Sequence, residues 1–321
     1  LPLPPSLPIA NDDCHHILCR VSLFLWMISR EPLLEKFYDV SWLKDMKSIS
    51  PNEINIPADA NDVRQGEGTP VVLIHGIAAS LHDWDDLIPE LTKNGHASYA
   101  LDLLGHGESP KLDSHAYQME WIYEHFSKWI RSLHLTEPAI LIGHSLGGHL
   151  ALEYARRDSA WTRGLVLVNP FYSRSQLNLL LRRPYSGRNL KGLLAGKTPE
   201  WLYRAFVDIA SVAMRPDNNT LHSLPARVRA QTALDYTRTA PGIYHVPNTV
   251  EDLTEHVSSI SIPTLVVWGE RDQTLTPSSF SKLVSAMPRA TGKSFRAGHV
   301  PHQSHADEFN KVVMEFLREL P

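Results

Sequence analysis

The sequence predicts an α/β fold: a mostly parallel, doubly wound sheet with an inserted run of helices. Three observations predict it. From residue 68 onward, short apolar runs alternate with segments of helical period. A Gly-x-Ser-x-Gly pentapeptide, Gly143–Gly147, sits where one apolar run meets the next helix. The stretch 171–248 then breaks the alternation and is long, helix-like and rich in large side chains. Alternation at this spacing argues for a parallel sheet covered on both faces, with right-handed crossovers.

Residues 1–66 form an N-terminal extension outside this pattern. Leu1–Pro8 is proline-rich and reads as extended. Residues 17–28 are strongly apolar, but the run is about 12 residues long and includes Arg20, whereas a membrane-spanning helix needs ~20. Ile17, Val21, Phe24 and Ile28 share one helical face. The expectation is a helix packed on the rest of the protein or on a second copy, with peripheral membrane contact as the alternative. No small-residue cleavage site follows, so a secretory signal is not expected. Cys14-His15-His16, followed by Cys19, reads as a polar helix start rather than a zinc site. These two cysteines imply no disulfide framework, and a cytoplasmic location is expected. Residues 50–66 are polar and irregular, which predicts a degenerate first edge of the sheet.

The core is expected over 67–170 and 249–321. Strands read at 71–75, 97–102, 138–143, 164–169, 263–268 and about 292–297. Helices read at 82–94, 115–134, 146–157, 249–258, 277–288 and 305–319. The inserted stretch carries Phe171, Tyr172, Trp201, Tyr203, Phe206, Met214, Tyr236 and Tyr244. Most of these are expected to pack among themselves. Six basic residues and no acidic one lie between Arg174 and Lys197, which reads as a solvated face. Net charge is −4 and the pI about 6.5, so no global field favours nucleic acid.

The pentapeptide has a mechanical reason. A serine on a sharp strand-to-helix turn takes a strained backbone while strand and helix pass close by. Glycines two positions before and after Ser145 remove the side chains that would clash. The turn lifts the hydroxyl clear of the sheet, and the helix N-terminus favours developing negative charge. Hydroxyl nucleophiles need a base and a group to orient it. The strand Thr264–Trp268 ends in Gly269-Glu270-Arg271-Asp272, which makes Asp272 the candidate orienter. Gly298-His299-Val300-Pro301-His302 supplies the candidate base, His299, 27 residues later, a length that holds one helix and one strand. His302 and His305 read as parts of the following helix. Upstream, the strand Val71–Ile74 runs into His75-Gly76-Ile77. The backbone N–H groups of Ile77 and Leu146 are the candidate oxyanion hole.

Together, His75–Ser80 with Trp84, Asp102–Ser109, Gly143–Gly148, Trp268–Asp272 and Gly298–Asn310 make the chain resemble the α/β-hydrolase superfamily, in its serine-hydrolase branch with a helical cap. The likeness spans roughly residues 68–320. It implies that 171–248 is the cap, inserted after Asn169, and that Trp201 and Tyr244 are candidate substrate-binding residues. Some members place the acid after the strand that precedes the cap; here that position is Asn169, which cannot carry the charge. The resemblance implies hydrolysis of a carboxylic ester of short to medium acyl chain, with no metal and no organic cofactor. Other reactions share the same residues: C–C bond hydrolysis of dienoates, lactone hydrolysis and cofactor-free perhydrolysis. A non-catalytic small-molecule receptor is the alternative of another class. An aspartate in place of Ser145 would have signalled an epoxide hydrolase or dehalogenase. His75 is expected to hold the oxyanion loop in shape, and His144, Asp102 and His106 to be structural supports.

Overall fold

The computed structural model describes residues 54–113, 116–177 and 224–321. The expected apolar helix at 17–28, Trp201 and most of the basic stretch lie outside the described residues. Among the described residues, no helix is long and apolar enough to cross a membrane.

Among the described residues, seven strands form one sheet: β1 (Asp62–Gln65), β2 (Thr69–Ile74), β3 (His96–Leu101), β4 (Ala139–His144), β5 (Thr162–Val168), β6 (Thr264–Gly269) and β7 (Ala290–Phe295), in the order β1-β3-β2-β4-β5-β6-β7. All neighbours are parallel except β1, which pairs antiparallel to β3 through Asp62↔Leu101. This is the degenerate edge that the polar run before residue 67 foreshadowed. Strand β4, Ala-Ile-Leu-Ile-Gly-His, is buried at every position, as a central parallel strand must be.

Strand periodicity builds two cores. One face of the sheet presents Val72, Ile74, Leu141, Leu165, Leu167 and Val266. The alternate residues Val71, Leu73, Ile140, Ile142, Val166 and Val267 face the other way. The first face is covered by α2 (Met119–Ser132), α3 (Leu146–Arg157) and α5 (Ser278–Ala286). The second is covered by α1 (Ile88–Lys93) and α7 (Ala306–Glu319), with Trp84 between them. On α2, Ile122, Phe126, Trp129 and Ile130 make one buried stripe at the spacing an amphipathic helix requires. Each such burial contributes ~1.5–3 kcal/mol.

Three expected helices differ in form. The run 82–94 divides into a 3-10 turn, Leu81–Trp84, and α1, because Pro89 restarts the helix in its first turn. The helix read at 115–134 begins only at Met119, whose N–H donates to Thr249 Oγ1. The helix expected at 249–258 is absent; only Val257–Ser259 makes a 3-10 turn. Asp252 explains this. Its carboxylate accepts from the Thr254 N–H (3.0 Å) and the Ser173 hydroxyl (2.7 Å), a local bonding scheme that competes with helix. Of the inserted stretch, a 3-10 turn (Arg174–Gln176), α4 (Ala226–Arg238) and a 3-10 run (Pro241–Asn248) are described. A short helix, α6 (Pro301–Ser304), precedes α7.

Candidate active site

Ser145 stands between β4 and α3 at φ 52° and ψ −110°, a strained region for a residue with a side chain. The strain is held from both sides: the Ser145 N–H donates to Val168 O (2.9 Å), and Ser145 O accepts from the Phe171 N–H (3.0 Å). The flanking glycines are required by close approach. A Cβ on Gly143 would stand 2.3 Å from Gly147 O, and one on Gly147 would stand 2.2 Å from Ile74 O.

The residues picked out along the chain meet here. His299, in the loop between β7 and α6, places Nε2 3.0 Å from Ser145 Oγ and Nδ1 2.8 Å from Asp272 Oδ2. An ionised carboxylate only accepts, so Nδ1 carries the proton and Nε2 is free to accept from the Ser145 hydroxyl. Asp272 follows β6, and its side chain is fully shielded from solvent. Its Oδ1 accepts from the N–H groups of Thr274 (2.8 Å) and Leu275 (3.0 Å). Its Oδ2 also accepts from Asn169 Nδ2 (2.6 Å). Burial opposes the charge, but His299 and these donors outweigh it and hold Asp272 below the usual carboxylate range. Glu270, its nearest rival in sequence, is exposed and takes the Ser294 hydroxyl.

Leu146 is the first residue of α3, and the loop after β2 runs beside the serine: a Cβ on Gly76 would stand 3.3 Å from Ser145 Cβ. His75 fixes that loop. Its Nε2 accepts from the Leu103 N–H (2.9 Å), which puts the proton on Nδ1, and Nδ1 donates to Gly76 O (2.7 Å). Asp102 accepts from the Leu81 and Glu108 N–H groups and from Asn61 Nδ2. His106 packs edge-on to His75 with ring centroids 4.9 Å apart, and burial keeps it neutral by pulling it down to about 3. Tyr244 is half-buried in the 3-10 run after α4.

Behind the elbow lies a polar cluster that the sequence reading did not assemble. His144 Nδ1 is 3.3 Å from Asp83 Oδ2, and its Nε2 is 3.1 Å from His299 O. Gln303 Nε2 donates to Asp83 Oδ1 (3.0 Å). His302, on α6, is buried with neither ring nitrogen in a hydrogen bond, and its Nε2 stands 3.9 Å from Asp83 Oδ2. Asp83, His144 and His302 thereby place one donor atom each within 4.8 Å of one another, a spacing a small cation could use.

The sheet order, the strained serine elbow and the loops gathered over it define an α/β hydrolase. The family model described as serine aminopeptidase, S33, matches residues 68–308, and the chain belongs to that family. It is 26 % identical to an epoxide hydrolase 3 of Xenopus tropicalis, over 78 % of this chain and 71 % of that one. It is 24 % identical to a pimeloyl-[acyl-carrier protein] methyl ester esterase of Aeromonas hydrophila, over 79 % and 97 %. It is 26 % identical to a 2-hydroxy-6-oxononadienedioate/2-hydroxy-6-oxononatrienedioate hydrolase of Paraburkholderia xenovorans, over 80 % and 89 %. The solved structure of a thermophilic esterase from Thermogutta terrifontis superposes with a TM-score of 0.66 at 21 % identity, over 81 % of this chain and 93 % of that one. The protein is a hydrolase.

Proposed function

We propose that the protein is a serine hydrolase of carboxylic esters with short to medium acyl chains. The observation that carries the reading is the continuous line Ser145 Oγ, His299, Asp272, with both links at hydrogen-bond length. In this mechanism His299 takes the proton of Ser145 as Oγ attacks the acyl carbon. The N–H groups of Ile77 and Leu146 hold the oxyanion, each worth ~2.7–4 kcal/mol to the transition state. His299 then protonates the leaving alcohol, and an acyl-enzyme forms. A water deprotonated by His299 attacks it and releases the acid. Asp272 holds the imidazole tautomer throughout.

In this reading residues 171–248 are the cap, and Trp201 and Tyr244 are the candidate substrate-binding residues. Apolar pockets discriminate one methylene by only ~1–3 kcal/mol, so the preference across acyl lengths is graded. The substrate is a small molecule, and the mechanism uses side chains and backbone alone. The likeness to the dienoate hydrolase of Paraburkholderia xenovorans favours one second reading, C–C bond cleavage at the same serine. A panel of p-nitrophenyl esters from acetate to palmitate, run beside one dienoate, separates the two. Higher kcat/KM on butyrate or hexanoate than on the dienoate supports the ester reading; the reverse order rejects it.

A further inference from the structure

We propose that Asp83 and His144 form a second acid–histidine couple that positions His299 from behind, which makes Asp83 a positioning residue for the reaction. The inference rests on the reading of Ser145 as nucleophile and His299 as its base.

The argument begins with what one ring touches. His144 precedes Ser145, so its backbone is the elbow itself. Its Nε2 lies 3.1 Å from the carbonyl oxygen of His299, and the two rings stand 5.0 Å apart between centroids. A Cβ on Gly76 would stand 2.9 Å from its Nδ1, so the loop after β2 packs on the same ring. One buried imidazole therefore contacts the elbow, the base loop and the oxyanion loop. Asp272 orients the imidazole of His299; His144 holds the backbone from which that imidazole hangs. Groups that fix a reacting side chain at one remove govern its aim, and a misplacement near 1 Å can cost ~10²-fold in rate.

Proton accounting gives Asp83 its part. A backbone carbonyl only accepts, so the bond to His299 O requires the proton on His144 Nε2. His144 Nδ1 then faces Asp83 Oδ2 at 3.3 Å, and an ionised carboxylate also only accepts. Imidazolium serves both acceptors; the neutral ring, the form burial favours, serves only His299 O, and its Nδ1 then faces the Asp83 carboxylate with no proton between them. Burial opposes the charge of Asp83, yet His144 and His302 hold it far below the usual carboxylate range. Burial and the His302 ring pull His144 down to about 4, and Asp83 pulls against them. The groups that face the couple are His302 and Gln303 from α6, His299 from its loop, and Asp235 from α4, a second carboxyl that burial and the like charge of Asp83 push up. Gln303 donates to Asp83 and ties the turn after the oxyanion loop to the helix after the base, across 220 residues of sequence. An asparagine at 83 can present Nδ2–H to His144 Nδ1 and its oxygen to Gln303, a donor link to the neutral ring that the ionised carboxylate cannot make. An alanine can do neither.

The test is the rate at which a fluorophosphonate labels Ser145 in the purified full-length chain, between pH 5 and 9. Labelling of the wild type reports on the nucleophile and its base. The ratio between variants reports on Asp83. Asp83→Ala is expected to label ~10- to 100-fold more slowly, with an unchanged saturation constant for the probe. Asp83→Asn is expected to recover the whole of that loss. If Asp83→Ala does not fold, Gln303→Ala replaces it and is expected to slow labelling severalfold. The wild-type rate in the alanine variants, or an asparagine variant as slow as alanine, overturns the proposal. A stoichiometric divalent metal in the purified protein, lost in Asp83→Asn, overturns it too, because the cluster is then a ligand set. No labelling of the wild type overturns both this proposal and the ester reading.

Discussion

Asn169 Nδ2 donates to Asp272 Oδ2 at 2.6 Å, the same oxygen that accepts from His299 Nδ1 at 2.8 Å. The residue after β5 and the third residue after β6 thus meet on one atom, although 103 positions separate them. Asn169 adopts φ 42° to reach it, a conformation asparagine tolerates better than most residues. An acid at either position can approach the imidazole from the same side.

Asp272→Asn should lower kcat steeply; in a serine protease the comparable change costs ~10⁴. The double variant Asn169→Asp with Asp272→Asn moves the carboxylate to the other strand end. It should recover at least ~10-fold over the single variant, since only tautomer and charge need restoring. Steady-state kinetics on a p-nitrophenyl ester checks both. Equal activities for the two variants would mean that position 169 cannot serve the histidine.

The two elbow glycines should not accept alanine. A Cβ at 143 or 147 would sit 2.3 or 2.2 Å from backbone oxygen, and backbone cannot swing aside as a side chain can. Gly143→Ala and Gly147→Ala should each lower the melting temperature and abolish activity, as read by circular dichroism and ester turnover. A stable, active Gly147→Ala variant would mean that α3 passes β2 with more room than this geometry has.

His75→Ala should lower kcat with little change in KM. The ring bridges Gly76 O and the Leu103 N–H and has no bond to the serine. Its loss frees the loop after β2; in the proposed mechanism the Ile77 N–H of that loop acts mainly on the transition state. A loss of ~10- to 100-fold is expected. A change confined to KM would place the loop in substrate binding instead.

Stability should fall on acidification from about pH 6.5 to 4. Burial holds His106 at about 3 and His144 and His149 at about 4, against ~6.5 in the unfolded chain. Across that window the unfolded chain binds more protons, so stability rises with pH. Asp235 runs the other way: burial pushes it up to about 7, so it binds a proton in the fold that the unfolded chain releases. His96 and His125, also pulled down by burial, act with these three; together they outnumber Asp235 and His82, which Asp85 raises. Below pH 4 the depressed Asp83 and Asp272 add to the loss, because their stabilisation is present above the unfolded pKa and disappears as they protonate. Denaturant midpoints from pH 4 to 8 check the slope, and His149→Gln should flatten it. A midpoint that rises toward pH 4 would contradict the assignment.

Much of this was legible in the sequence because it is written locally. Alternating apolar runs give the strands, and parity along each strand gives the two cores. Ser145, Asp272 and His299 each sit in a short motif at a strand end, and chain order sufficed to group them. Asn169 was visible only as a missing acid; its donor role needs the spatial meeting of β5 and β6. Asp83 and Gln303 carry no local signal and find each other only in the fold. The absent helix at 249–258 failed for a related reason. Its period looked helical, but Asp252 bonds to Ser173 from the other side of the insertion. Residue β-propensity gave little warning of β1, whose four residues are mostly exposed and are held by pairing to β3.

The central claim is that Ser145 is acylated during turnover. Mixing the full-length protein with excess p-nitrophenyl butyrate, quenching in acid within milliseconds, and locating the added mass by peptide mass spectrometry tests it directly. The account predicts a butyryl group on the peptide that carries Ser145, formed with a burst of p-nitrophenolate, and neither adduct nor turnover in Ser145→Ala. An adduct on another residue, or a Ser145→Ala variant that still hydrolyses the ester at the wild-type rate, would contradict it.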